Sequence, residues 1–231
     1  MSRTDVVPWL RRVAVVAVVA ATASVAHAAS LGGVDAGNLE AWRLAVDIDT
    51  GLLACSNFTG IPDNGPIHGY PSGCGGGNWT ANGGNWHVVG GELKSNTSAS
   101  TVTVPGPSPY LSATVTVIGA NQNNRVGGVL VSYDAGTSSY LAAVIVGPNR
   151  VELRVVTAGS TSVLASVNVA IPASVRLRLT RTSTTATVVL GTTTIISVPF
   201  APTLLTGTGA GLYHGGGPSV QFDDFELRRS P

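Results

Sequence analysis

The sequence predicts an all-β fold of two packed antiparallel sheets, a jelly-roll sandwich, and three observations carry that expectation. Apolar and polar residues alternate with a period of two in successive runs after Trp79. Short turn signals separate the runs: Gly90-Gly91, Gly147-Pro148-Asn149, Ala158-Gly159, Gly191-Thr192 and the Gly215-Gly216-Gly217-Pro218 stretch. No segment after residue 50 shows a 3.6-residue apolar period. About a dozen antiparallel strands in one domain imply two packed sheets. No internal repeat of fixed period appears, which disfavours a propeller or solenoid.

The elements follow in order. Arg3, Arg11 and Arg12 precede an apolar run over residues 13–26, and Ala26-His27-Ala28 offers a small-x-small cleavage site, so residues 1–28 read as a secretory signal peptide. This run of fourteen residues falls short of a membrane anchor, which needs roughly 20. No later stretch qualifies, so stable membrane insertion of the mature chain is not expected. Residues 29–54 carry Leu39, Trp42, Leu44, Val46 and Ile48 in an indistinct pattern and read as an N-terminal linker. One jelly-roll domain is expected over 55–231, with strands at 112–118, 126–133, 140–146, 150–156, 162–169, 175–181, 185–190, 194–198 and 209–213 before the last strand.

Composition narrows the compartment and the partners. Of the 231 residues 44% are hydrophobic, enough for a real core, and only 11% are charged, with Lys94 the sole lysine. Such a chain reads as extracellular β-protein. Cleavage after Ala28 removes three of 13 basic and one of 12 acidic residues, leaving 10 minus 11, a net charge near −1. Nucleic acid is therefore not an expected partner, and Arg150, Arg154, Arg176, Arg178 and Arg181, alternating with Val and Leu, read as the solvated face of strands. Cys55 and Cys74, the only cysteines of a secreted chain, are expected to form one disulfide around a Pro/Gly-rich loop. Closing such a loop is worth about 3 kcal/mol in the chain-entropy model.

The last strand holds an anomaly. In Val220-Gln221-Phe222-Asp223-Asp224-Phe225-Glu226-Leu227 the apolar alternation slips by one residue at the two aspartates. An extra residue there, a β-bulge, returns Val220, Phe222, Phe225 and Leu227 to one core and aims a carboxylate at something specific, which we read as a cation.

Several short motifs carry a resemblance over roughly residues 55 to 228. They are Ser56-Asn57-Phe58, Gly77-Asn78-Trp79, the 84–93 stretch from Gly84 to Leu93, the runs 140–155 and 175–181, Gly211-Leu212-Tyr213 and Phe222-Asp223-Asp224-Phe225. In this order they resemble the concanavalin A-like lectin/glucanase superfamily, specifically the laminin-G-like jelly rolls of secreted bacterial proteins. The resemblance implies a structural calcium ion where the first and last strands meet, with Asp223 or Asp224 as ligand and groups near Asn57 and water completing the shell. Relatives often carry Asp before the Asn-Phe pair, where this chain has Ser56.

The superfamily includes glucanases, whose acid and nucleophile are carboxylates on one strand about 5 Å apart. No central strand here has a Glu-x-Asp-x-x-Glu arrangement, and Asp224 and Glu226, which have a suitable spacing, lie on the terminal strand. There is no Gly-x-Ser-x-Gly elbow, and His68, His87 and His214 have no triad spacing. Catalysis is not expected. Exposed aromatic rings are the commoner sugar platform. Trp79, Tyr133, Tyr140, Tyr213 and His214 are the binding candidates, while Trp86 reads as core. The expectation is a secreted, non-catalytic sandwich that binds carbohydrate or another cell-surface ligand. The alternatives are a glycoside hydrolase of the same superfamily and a structural surface protein without a small ligand.

Overall fold

A computed structural model describes residues 51–201, 203, 205–217 and 220–230. The signal-peptide reading and nearly all of the linker reading lie outside the described residues. The first strands are β1 (Leu52–Ser56), β2 (Thr80–Asn82), β3 (Trp86–Val89), β4 (Glu92–Ser95) and β5 (Ser100–Val104). Next come β6 (Leu111–Ile118), β7 (Val126–Asp134), β8 (Ser139–Val146), β9 (Arg150–Thr157) and β10 (Ser160–Asn168). The chain closes with β11 (Ser174–Arg181), β12 (Thr185–Leu190), β13 (Thr193–Pro199), β14 (Gly209–Gly216) and β15 (Gln221–Arg229). The domain thus begins by Leu52, inside the segment read as linker.

The strands form two antiparallel sheets. One runs β13-β12-β11-β6-β15-β4-β3, with β1 added against β15, and the other runs β10-β9-β8-β7-β14-β5-β2. Alternate residues of each strand meet between them, among others Val115 and Val117 from β6, Leu177 and Leu179 from β11, Val129 and Val131 from β7, and Leu141 and Ile145 from β8. This is the expected jelly-roll sandwich, and its strands from β6 onward lie within three residues of the sequence reading.

The slip in β15 is a bulge. Asp223 pairs with Thr116 and Glu226 with Thr114, so three steps on β15 oppose two on β6. The extra residue, Asp224, has φ of 49°. Val220, Phe222, Phe225 and Leu227 all enter the one core, none more than 1% exposed. The bulge sits where β15 changes partner, from β4 at Gln221 and Phe222 to β1 from Phe225 onward.

A second bulge was not foreseen. On β7, Val131 pairs with Leu141 and Asp134 with Ser139, while Gly209 and Gly211 of β14 pair with Tyr133 and Leu130. The extra residue is Ser132, fully buried, with φ of 60°. It keeps Val131 in the core and sends Tyr133 to the outer face.

Three sequence readings are corrected by the faces on which residues fall. Trp79, a ligand-binding candidate, is fully buried, with its ring 5.8 Å from Phe58 and 5.0 Å from Phe225, so it offers no face to a ligand. His214 is 1% exposed because it shares the inward register with Leu212, and its Nδ1 lies 2.9 Å from the Thr97 carbonyl oxygen. Arg181 is not solvated: it follows Val175, Leu177 and Leu179 on the inward side of β11 and is fully buried. Its guanidinium lies 5.5 Å from the Tyr110 ring and 5.1 Å from the Phe200 ring.

The expected disulfide joins Cys55 and Cys74, with Cα atoms 5.5 Å apart. It ties the intervening loop to β1, where Cys55 also bridges Gly73, and under this loop Phe58 and Ile67 are buried.

Candidate functional site

Residues facing away from the core on the seven-stranded sheet form a separate apolar cluster of Leu130, Tyr133, Tyr140, Ala142, Val144 and Val156. Tyr213 packs against it. Period-two alternation explains the set, since Ala142 and Val144 lie between the inward Leu141, Ala143 and Ile145 on β8. Three of the five binding candidates therefore meet on one face. The Tyr133 and Tyr140 rings are 5.9 Å apart and tilted by 31°, and those of Tyr140 and Tyr213 are 6.2 Å apart and tilted by 45°.

The adjacent strands β8, β7 and β14 bring these rings together, and small neighbours make room for them. Gly215 is the clearest case, because a Cβ there would lie 2.9 Å from the Tyr213 ring and 3.0 Å from its hydroxyl. The start of β14 likewise passes under Tyr133 at Gly209, where a Cβ would sit 3.2 Å from the tyrosine Cβ.

The three rings floor a depression of about 380 Å³ whose walls include Asn82, Thr101, Ser138 and Thr161. Tyr133 and Asn82 also line a neighbouring depression of about 580 Å³, together with Thr80, Thr103 and Asp134. Both volumes fall within the range of small-molecule sites. Among the described residues, none of the three tyrosine hydroxyls makes a hydrogen bond. Burial, reinforced by the neighbouring Tyr213 and Tyr133, pushes the Tyr140 hydroxyl above its ordinary pKa, so it is a neutral donor. Asp134 goes the other way. Hydrogen bonds from the Thr137 hydroxyl and the Gly136 N–H, each 2.9 Å, hold its carboxyl below the ordinary value and fix it as an ionised acceptor.

On the same face, Glu152 receives Arg150 at 2.8 Å and Arg154 at 2.7 Å, a network with its carboxylate nearly buried. Both cations and the carboxylate are thereby committed to one another.

A larger depression, about 630 Å³, lies elsewhere, between the disulfide loop and the β15 bulge, and includes Asn57, Tyr70, Arg176, Asp224 and Glu226. Its polar groups are mostly engaged. Asn57 Oδ1 accepts from the Thr59 hydroxyl at 2.9 Å, and Glu226 pairs with Arg176 at 2.7 Å and with Arg228 at 3.3 Å. We therefore place the candidate ligand site at the tyrosines, where donors are unpartnered, and not in the larger cleft.

The three residues read as a cation site divide. Asn57 and Asp224 border this one cleft. The Asp223 carboxylate is turned back, accepting from the Asp224 N–H at 2.8 Å, and burial raises its pKa above the ordinary value. Sequence reasoning missed Asn82, Thr101 and Thr103 of the site walls. Their signal is positional, since Asn82 pairs with Thr101 across β2 and β5, and Thr101 pairs with Tyr213 across β14.

No protein-family model and no curated protein matches the chain. Among solved structures it is similar to the carbohydrate-binding module CBM66 from Bacillus subtilis, at 12% identity and a TM-score of 0.51, over 74% of this chain and 96% of that one. A mutant of the GH43 protein BlXynB from Bacillus licheniformis aligns at 16% identity and a TM-score of 0.54, over 76% of this chain but only 39% of that one. A protein of unknown function with a galectin-like fold, also from Bacillus subtilis, aligns at 12% identity and a TM-score of 0.50, over 65% and 89% of the two chains. Identities this low speak for architecture, and with the sheet order above they show that the chain has a concanavalin A-like jelly-roll fold.

Proposed function

We propose that the protein is a secreted, non-catalytic, laminin-G-like binding module that takes a neutral carbohydrate across the outer face of its seven-stranded sheet. The observation that carries this reading is the cluster of Tyr133, Tyr140 and Tyr213, with three unpartnered hydroxyls at one depression. Sugar hydroxyls are acceptors and donors that match phenol groups, and their C–H faces suit the flank of Tyr213, the most exposed of the three rings. The ionised Asp134 in the adjoining depression favours a hydroxyl-rich ligand over an acidic one. The carbohydrate-binding module among the similar structures supports the same reading. The disulfide supports export.

The test is titration calorimetry and affinity electrophoresis with neutral and acidic polysaccharides. Wild type is expected to bind a neutral polymer. Removing one hydroxyl in Tyr140→Phe should weaken it about two- to tenfold, and Tyr213→Ala at least about tenfold. No binding to any neutral glycan, or full binding by both variants, would overturn the proposal.

The hydrolase alternative has the GH43 likeness in its favour, but that likeness concerns part of a longer protein. Among the described residues the glutamates are otherwise occupied: Glu152 by Arg150 and Arg154, Glu226 by Arg176 and Arg228, and Glu92 by the Gln221 amide. The structural-protein alternative has the uncharged edge strand β10, with Val163 and Leu164 exposed. A register shift between Val163 and Ala165 interrupts that edge, a feature that blunts strand-to-strand association.

A structural calcium at the β1–β15 junction is the second element of the proposal, and the fit of the residues is partial. Calcium takes six to eight oxygens. Among the described residues no three Asp, Glu, His or Cys side chains gather into a metal-holding group. Asp224 and Asn57 would rely on backbone carbonyls and water for the rest. The expected result is that a chelator lowers the melting temperature of wild type and leaves Asp224→Asn unchanged. Equal melts of wild type with and without chelator remove the ion from the account.

A further inference from the structure

We infer that Arg181, buried between the sheets, is a positioning residue for the ligand face: it holds the Ser132 bulge in its left-handed conformation and so keeps Tyr133 in the tyrosine cluster. The inference rests on the proposed glycan site for its functional meaning, and on geometry alone for its structural part. The Arg181 guanidinium donates to the Ser132 hydroxyl at 2.5 Å, and that hydroxyl donates to the Pro109 carbonyl at 2.9 Å. Arg181 belongs to β11 of one sheet and Ser132 to β7 of the other, so the bond ties the sheets at the bulge. Serine at φ of 60° is unfavourable for an L-residue without local support.

The alternative to the bulge follows from the two-residue period. Without the extra residue on β7, the position after Leu130 and Val131 faces out and the next faces in. Tyr133 would then turn toward the core, and the ridge it forms between the two depressions would be lost. The Tyr110 and Phe200 rings pack against the guanidinium, at 5.5 and 5.1 Å from its central carbon, while it donates to Ser132. The fork makes the position specific, since a shorter amine would not reach along the same line.

The experiment uses Arg181→Met, which keeps an unbranched apolar stem against the two rings, and the double variant Arg181→Met with Ser132→Gly. Glycine adopts the left-handed conformation without help. Two readouts are followed, affinity for the neutral glycan and the near-ultraviolet circular dichroism of the coupled tyrosines, with Tyr133→Phe defining what Tyr133 contributes. Arg181→Met is expected to bind about tenfold more weakly and to lose the Tyr133 component of the spectrum, and glycine at 132 should restore both. Loss of stability alone would not be reversed in this way. A wild-type spectrum and affinity in Arg181→Met, or no restoration in a cooperatively melting double variant, would overturn the inference. If Arg181→Met does not fold, Arg181→Lys, which keeps a cation near the rings but shortens the reach, carries the same readouts and the same expectation. If wild type binds no glycan, the proposed function fails, and the spectra of the variants still decide the positioning role.

Discussion

Trp79→Ala is expected to lose about 3–5 kcal/mol of stability, as truncations of large buried aromatics do, while Trp79→Phe retains most of it and binds glycan like wild type. The ring is fully buried, packed edge-on against Phe225 at 5.0 Å and tilted against Phe58 at 5.8 Å. It therefore joins the disulfide loop to the last strand. The indole N–H has no hydrogen-bond partner among the described residues. Phenylalanine removes that orphan donor, which offsets part of the lost volume. Chemical denaturation gives the stability difference, and calorimetry with the glycan gives the binding. A folded Trp79→Phe that no longer binds would return Trp79 to the ligand site and contradict its place in the core.

The reading of Trp79 from sequence failed for a physical reason that also marks how far sequence reaches in this fold. Inside a regular strand, alternation assigns every residue a face, and the strands from β6 onward were legible within three residues because of it. Trp79 precedes β2, outside any regular strand, and there residue type says nothing about direction. His214 and Arg181 are different. Each sits in a regular strand two residues beyond an inward apolar residue, Leu212 and Leu179, so strict alternation places them inside. The charge of Arg181 argued for solvent and was outweighed by register, since the Ser132 hydroxyl and two aromatic faces receive it.

The two bulges show the same boundary. That of β15 was legible because its inward residues are apolar and its outward ones polar, so a slip shows as a break in the pattern. That of β7 was not, because Val129, Leu130 and Val131 fill both faces with apolar side chains and a slip leaves no trace. Tyr133, Tyr140 and Tyr213 were legible one by one as aromatics near strand ends. Their meeting required the order β8-β7-β14, which short and similar strands do not announce.

Removing Asp224 should be tolerated better than changing it to valine. In the bulge Asp224 and Phe225 of β15 stand against Val115 alone on β6, the positive φ marks Asp224 as the extra one, and the pairs that follow, Glu226 with Thr114 and Leu227 with Ala113, are those of a strand lacking it. Deletion leaves Phe222 inward, Asp223 outward and Phe225 inward again, so the core keeps its four apolar residues. Asp224→Val keeps the extra residue and puts a β-branched side chain at φ of 49°. The strand must then bear that conformation or slip, and slipping would expose Phe225 and Leu227 and turn Glu226 inward, which is the worse outcome. The valine variant is therefore expected to carry the strain and lose about 1–3 kcal/mol, while the deletion folds and melts cooperatively in calcium-free buffer. Melting both against wild type checks the order. A deletion that unfolds with a valine variant near wild type would mean that the bulge is needed for its bend, where β15 passes from β4 to β1, and not to bring four apolar side chains to one face.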